Sequence, residues 1–420
     1  MFIWNVDGSY TTDTDITGFE VIGAGALVNA DSISATGFTR LKHGAIAGAV
    51  TYTNVAANST LTLTANPTAN SVITLASSAG TSDQFNLVLT KSGAAGLLAA
   101  GTVTVNNVET VAITTDDSDS TPLSLTDTLT LSADSVKTIT VVGDAGLALT
   151  YTGTTATTVD ASGITAGAFT YDSGALAAAA TIKGSATGTN TIDFSDGLGI
   201  VTYTGGTGGD TINFGTANAL NNIVNLGNGT NAFNGNTNAQ GADSVTGGTG
   251  VDTILTGPGN DTIIGGGGAD QITGGTGADK ITVSGNTSDI FQFLGSSGAN
   301  TSNTIQTTEL TSGFDIVYGA TAGFQINLDV QMGTAGGGYG ATDVTVAGTN
   351  LAGVLDQIVF ARGTYDAGTT IFSYAANGAD TVVTYDSSTA GDGSTFESII
   401  LVGYVSASTT AAALGVITLA

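Results

Sequence analysis

The sequence predicts an all-β chain: a parallel β-solenoid over most of its length, closed by a C-terminal β cap domain. Three observations carry that expectation. A nine-residue unit repeats five times without a gap between residues 238 and 282. Thr/Val-rich runs bounded by Gly, Asn, Asp and Ser recur up to residue 195. Thr, Ala, Gly, Ser and Val dominate the composition, with 3 prolines and no cysteine, the palette of short strands and small-residue loops rather than helices.

Residues 1–195 read as strands throughout. The runs SVITLA at 71–76, VETVAITT at 108–115, VKTITVVG at 136–143, ATTVDASG at 156–163 and AATIKG at 179–184 place the apolar anchors Val111, Ile139, Val159 and Ile182 between 20 and 28 residues apart. Rungs of such uneven length suit a parallel β-solenoid. A β-sandwich over residues 1–130 is the competing expectation, because short strands with turn signals look alike in both. From Ile192 the rungs shorten, with Val201, Ile212, Ile223 and Phe233 at intervals of nine to eleven, as if one solenoid ran on into the repeat array. Alanine runs at 93–100, 175–180 and 410–413 could each form a helical turn, and all are too short to change the class.

The array occupies the middle of a region taken as 196–290. Its units are NAQGADSVT, GGTGVDTIL, TGPGNDTII, GGGGADQIT and GGTGADKIT. The aspartates fall at Asp243, Asp252, Asp261, Asp270 and Asp279, and the residues two places on are Val245, Ile254, Ile263, Ile272 and Ile281. A flexible linker has no reason to keep an apolar series in register with an acidic one. Each residue type meets a separate physical need. Glycine allows the positive φ of a tight loop, aspartate offers a hard oxygen ligand, and the short alternation after it turns one apolar side chain inward. Each unit is then half a turn of a coil, so Asp243, Asp261 and Asp279 stack on one side and Asp252 and Asp270 on the other. Coils about 4.8 Å apart place bare carboxylates in a repulsion of roughly 3 kcal/mol at an effective dielectric near 20. A cation must sit between them, which makes the array a calcium β-roll holding several ions. The roll is expected to begin upstream, in GGTGGDTIN at 205–213 with Asp210 and in LGNGTNAFN at 226–234 with Asn231 in the aspartate place.

Residues 291–420 dilute the theme. LTSGFDIVY at 310–318 and AANGADTVV at 375–383 echo the unit with Asp315 and Asp380. Aromatics gather here, among them Phe324, Tyr339, Phe360, Tyr365, Phe372, Tyr374, Tyr385, Phe396 and Tyr404. They read as the core of a cap rather than as a ligand-binding stripe.

Charge and missing motifs narrow the function. Seven basic residues against 34 acidic ones give a net charge of −27, which speaks against nucleic acid and for divalent cations. No run has the 18 or more apolar residues of a membrane span, and residues 1–10 lack the basic and apolar parts of a secretory signal. His43 is the only histidine, so a zinc protease of the HExxH kind is excluded, and neither a G-x-S-x-G elbow nor a phosphate-binding GxxxxGK[ST] loop is present. Beside Arg40 and Lys42, His43 reads as a surface or interface residue. Carboxylate pairs abound, but 6% aromatic content with Trp4 the only tryptophan argues against a sugar-stacking cleft. The expectation is a protein that is not an enzyme.

The array resembles the RTX (repeats-in-toxin) proteins exported by bacterial type I secretion. The resemblance covers about a fifth of the chain and implies that loop residues complete the calcium sites: Gly241, Gly248, Thr249, Gly250, Gly257, Gly259, Gly265, Gly267, Gly268, Gly274, Thr276 and Gly277, beside the aspartates and Asp210. The closing run at 396–420, acid-poor, small and apolar, looks like an uncleaved type I export signal, and it also reads as a final strand pair of the cap. Together with the acidic, cysteine-free composition, the resemblance points to an extracellular structural protein of the bacterial cell surface, similar to RTX-type S-layer proteins. Its partners would be copies of itself in a two-dimensional lattice and a cell-surface polysaccharide. An RTX adhesin, or the C-terminal calcium-binding and export region of a larger secreted protein, is the alternative.

Overall fold

A computed structural model describes residues 22–24, 31–77, 79–90, 97–116, 125–194, 199–215, 219–235, 241–283, 290–292, 309–310, 314–321, 324–327, 341–344, 358–375, 377–386, 396–405, 409–411 and 416–419. The expectations for residues 1–10 and for Tyr339, and parts of the alanine runs at 93–100 and 410–413, lie outside these residues. Among the described residues all regular structure is strand, and no helix is long and apolar enough to cross a membrane. The alanines expected to turn as helix instead feed strands: Ala99 and Ala100 open the strand Ala99–Val105, and Ala180 opens Ala180–Lys183. A run of a few residues does not recover the cost of helix nucleation, whereas small side chains fit the tight inner corners of a coil.

The chain divides into two compact units, Met1–Ala217 and Asn218–Ala420. In the first, successive strands alternate between two parallel sheets. One sheet includes Thr110–Asp116, Thr138–Gly143, Thr158–Ile164 and Ala180–Lys183, and the other Thr126–Ser132, Gly146–Tyr151, Phe169–Asp172 and Asn190–Phe194. Val111, Ile139, Val159 and Ile182 are direct neighbours on consecutive rungs, as their spacing predicts. The opposite sheet stacks Leu129, Leu149, Tyr171, Ile192 and Ile212 in the same way. The pairings between Asp31–Ser34, Val50–Val55, Ser71–Leu75 and Ala99–Val105 are parallel, which overturns the sandwich alternative, since a sandwich is built from antiparallel strands. Alternation, interrupted by register shifts in a few strands, sets apolar side chains inward between outward polar ones, so Gln84–Thr90 alone turns Phe85, Leu87 and Leu89 inward. At about 1.5–3 kcal/mol for each large apolar side chain buried, such rungs carry themselves.

His43 belongs to this interior, correcting its reading as a surface residue. It is 1% exposed, stacks on Tyr52, and holds Ser71 Oγ at 2.8 Å and Gly44 O at 3.0 Å. A carbonyl only accepts, so Nδ1 donates to Gly44 and neutral Nε2 takes the Ser71 proton. Burial pushes the imidazole below its ordinary value. Arg40 and Lys42 alternate with Leu41 and His43 along one strand, and alternation sends the two bases outward and the imidazole in.

In the second unit a two-sheet coil is built from shorter strands. Ile223–Asn225, Ser244–Thr249, Thr262–Gly267, Lys280–Thr282 and Asp315–Tyr318 pair in parallel. Opposite them run Ala232–Asn234, Thr253–Leu255, Gln271–Thr273, Ile290–Gln292 and Gln325–Asn327. Parallel pairing thus extends beyond residue 290. Val245, Ile263, Ile281 and Val317 form one inner column. Ile223, expected as an anchor, points outward at 54% exposure, and Val224 is the buried neighbour of Val245. The anchor is displaced by one residue because Asn222 occupies the buried polar place before the strand.

An antiparallel sheet closes the unit: Ile358–Asp366 pairs with both Ile371–Tyr374 and Asp380–Asp386, and Asp380–Asp386 pairs with Phe396–Val402. Phe396–Val402 also lies parallel on Asp315–Tyr318. Phe314, Phe372, Val382 and Ile400 form its core, with Tyr365 packed against them. The described aromatics Phe324, Phe360, Phe372 and Tyr404 are buried, as expected of core residues. The C-terminal run supplies Phe396–Val402 and an antiparallel pair, Thr409–Ala411 with Val416–Leu419.

Candidate metal centre

Each of the four nonapeptides over residues 247–282 makes a tight loop and then a short stretch that turns its apolar residue inward. The loop needs positive φ at the second and fourth positions, and glycine stands there: Gly248 at +119° and Gly250 at +145°, Gly266 at +98° and Gly268 at +151°. Stacking makes glycine obligatory for a second reason. A Cβ on Gly266 or Gly268 would strike the carbonyl oxygen of Gly248 or Gly250 one coil earlier, and Gly275, Gly277 and Gly259 stand in the same relation to Gly257, Gly259 and Gly241. The carbonyls of Gly241, Gly248, Gly250, Gly257 and Gly259 therefore face the next coil. Those of Thr249, Gly267, Gly274 and Thr276 accept backbone N–H groups from the preceding coil, at 2.6–3.0 Å, and each keeps a second lone pair.

The aspartates form two ladders up the coil. On one side Asp243 N–H donates to Asp261 Oδ1 at 2.7 Å, Asp261 N–H to Asp279 Oδ1 at 2.9 Å, and Asp279 N–H to Asp315 Oδ1 at 2.9 Å. On the other side Asp252 N–H donates to Asp270 Oδ1 at 3.0 Å. Asn222 and Asn231 head the two ladders, each giving both its backbone and side-chain N–H to the aspartate above, Asp243 or Asp252. One oxygen of each rung is thus spent on the backbone. The other differs: Oδ2 of Asp252, Asp261 and Asp279 is buried with no hydrogen-bond donor.

At Asp252 that oxygen meets a carbonyl. The place where a Cβ would stand on Gly247 lies against both Asp252 Oδ2 and Gly265 O. At Gly265 and Gly274 the same place faces Asp270 Oδ2 and Asp279 Oδ2. Among the described units Thr256 is the one residue other than glycine in this first position. Its buried hydroxyl stands beside the Asp261 carboxylate and gives its proton to Gly274 O at 2.6 Å, filling a cradle that is open at Gly247.

Without a cation these carboxylates resist ionisation. Burial pushes Asp252 up to about 6 and Asp261 up to about 7. Asp243 and Asp270 are raised for the same reason, and Asp279 stands well above the ordinary range through burial and then the charge of Asp315. Among the described residues no three His, Cys, Asp or Glu side chains gather as a metal site; the groups that could hold an ion are the paired carboxylates of the ladders and the glycine carbonyls beside them. Hard oxygens, some neutral and some anionic, in a flexible loop fit calcium, which accepts six to eight of them, better than magnesium, which demands a tight octahedron.

Two acids separate from this set. Asp210 is buried in the first unit and has protein donors on both oxygens: Asn190 N–H and Nδ2 on Oδ1 at 3.1 and 2.7 Å, and the Tyr203 hydroxyl on Oδ2 at 2.8 Å. Asp380, one of the two echoes, accepts Gly403 N–H and Tyr365 N–H, both at 2.7 Å. The other echo, Asp315, is a full rung of the ladder. Sequence spacing alone hides that, since it lies 36 residues beyond Asp279 instead of 18.

Among known families, residues 240–281 match the model of the RTX calcium-binding nonapeptide repeat, in four copies. A search of curated proteins finds no match. Residues 240–281 thus carry an RTX calcium-binding nonapeptide array, and they build a parallel two-sheet coil, the β-roll. Proteins with this repeat are typically secreted, which fits an extracellular place.

Proposed function

We propose that this protein is a structural subunit of a bacterial surface layer, exported by a type I system and folded and assembled by calcium. The ladder of buried carboxylates carries the reading. With Oδ2 of Asp252, Asp261 and Asp279 bare, the roll cannot close in the low-calcium cytosol, and the acidic chain stays threadable. Outside the cell, extracellular modules of this kind bind calcium at roughly 10⁻⁴ to 10⁻³ M, and binding becomes folding free energy.

The outer faces support a lattice role. In the first unit Thr110, Thr138, Thr158, Thr181 and Thr202 stand on consecutive rungs of one sheet, a regular threonine row, flanked by the Asp160–Lys183 ion pair, against which a like copy can lie. No catalytic step is invoked, and the role is non-enzymatic. A subunit with a net charge of −27 repels its copies until calcium neutralises part of that charge.

Electron microscopy and light scattering test the proposal. Millimolar calcium should give sheets or tubes with a regular repeat, and chelation should dissolve them. A folded monomer that never scatters in calcium would instead favour an adhesin or the export region of a larger protein.

A further inference from the structure

We infer that the calcium array does not stop at its last nonapeptide: Asp279 and Asp315 share a further calcium position, which fastens the C-terminal β domain to the roll. The inference rests on the array binding calcium. It extends the metal sites to a residue outside the repeat.

The geometry of the step is that of the steps below it. Asp315 Oδ1 accepts Asp279 N–H at 2.9 Å, as Asp279 Oδ1 accepts Asp261 N–H at 2.9 Å. The strands follow in register, Ile281 against Val317 as Ile263 against Ile281. Asp279 and Asp315 are each 1% exposed. Asp279 Oδ2 has no donor and points at the Cβ-less face of Gly274. Gly275 at +106° and Gly277 at +134° repeat the backbone turn of Gly257 at +96° and Gly259 at +154°, whose carbonyls face the following coil. A buried acid pair with an orphaned oxygen beside a carbonyl-bearing loop is costly bare and well matched to a hard cation.

The position matters because of what Asp315 joins. Its own strand, Asp315–Tyr318, pairs with the roll strand Lys280–Thr282 on one edge and the cap strand Phe396–Val402 on the other. Phe314, its neighbour in sequence, is a member of the cap core. An ion here couples the loading of the roll to the ordering of the cap.

The test uses the full chain stripped by a chelator, titrated with calcium by calorimetry, with limited trypsin digestion at each step. Arg362, within the cap strand Ile358–Asp366, is the reporter. Asp315→Asn should bind one ion fewer than the wild type and need about tenfold more calcium, equivalent to about 1.4 kcal/mol, to protect Arg362. Asp380→Asn, altering an acid held by two amides, should keep the full ion count. An unchanged count and midpoint in Asp315→Asn would overturn the inference. If that variant does not regain the wild-type circular dichroism at saturating calcium, the wild type decides. Arg362 should become protected over the calcium range that folds the roll, and protection already complete in chelator would overturn it. A wild type that binds no calcium at all would fail the array itself, a separate outcome, and absence of a lattice bears on neither.

Discussion

The first unit and the roll share one topology, a coil of two parallel sheets, and reach it by different physics. Strands such as Gln84–Thr90 and Val50–Val55 turn three apolar residues inward. Thr253–Leu255 and Lys280–Thr282 each turn in one, Ile254 and Ile281. At about 1.5–3 kcal/mol per buried side chain, the first kind of rung is held by its core. The second trades core for loops of glycine and aspartate, whose bare oxygens oppose folding until an ion joins them. A parallel solenoid can therefore be self-supporting or switchable without changing its path. The switch lies in the ratio of inward apolar residues to inward carboxylates.

That contrast breaks most visibly in chelator. The protein should lose part of its β circular dichroism, with calcium restoring it and magnesium restoring it poorly. Loss of all β signal would mean that the first unit also depends on metal.

Point changes sharpen it next. Asp261→Ala and Asp279→Ala should raise the calcium midpoint of folding by similar factors, about tenfold or more, because both are interior rungs once Asp315 continues the ladder. Asp210→Ala should leave the ion count unchanged in calorimetry. It should still cost about 1–3 kcal/mol in denaturant unfolding by stranding the Tyr203 hydroxyl and the Asn190 amide.

Acid gives a third contrast. A carboxyl raised in the folded state favours folding when protonated, so its contribution to the metal-free roll is present in full below about 3.9, the unfolded value. It is lost as pH rises through about 6 for Asp252 and about 7 for Asp261. In chelator, β signal should therefore be higher at pH 5 than at pH 8, while calcium binding should weaken over the same fall in pH. The opposite trend would mean that the buried carboxylates do not govern the roll.

The smallest effect belongs to Thr256. Thr256→Gly removes the hydroxyl that bonds Gly274 O and restores the cradle found at Gly247, so calcium should bind a few-fold more tightly at that level. Calorimetry showing weaker binding would make the hydroxyl a ligand instead of an obstacle.

Part of this is legible in the sequence, and the rest is hidden for physical reasons. Local period is enough to place Val245, Ile254, Ile263, Ile272 and Ile281 inward and to assign Asp243, Asp261 and Asp279 to one side. It also picks out Val111, Ile139, Val159 and Ile182, which lie side by side despite uneven rungs. Strand direction is a non-local property, so only the pairing itself separates a solenoid from a sandwich over residues 1–130. Ile223 misleads because IVN offers two adjacent apolar residues, and only the buried Asn222 beside them fixes the register. His43 misleads because its basic neighbours alternate outward from it. Asp315 and Asp380 carry the same local pattern and differ only in what meets their oxygens: a rung of the ladder for one, two cap amides for the other.

The central claim is that calcium folds the roll while the first unit stands on its core. Hydrogen–deuterium exchange read by mass spectrometry, on the full chain with calcium and in chelator, tests it most directly. Amides of Ser244–Thr249, Thr262–Gly267 and Lys280–Thr282 should be protected in calcium and exchange rapidly in chelator, while those of Thr110–Asp116, Thr138–Gly143 and Thr158–Ile164 stay protected in both. Equal protection of the roll strands in the two conditions would contradict the account.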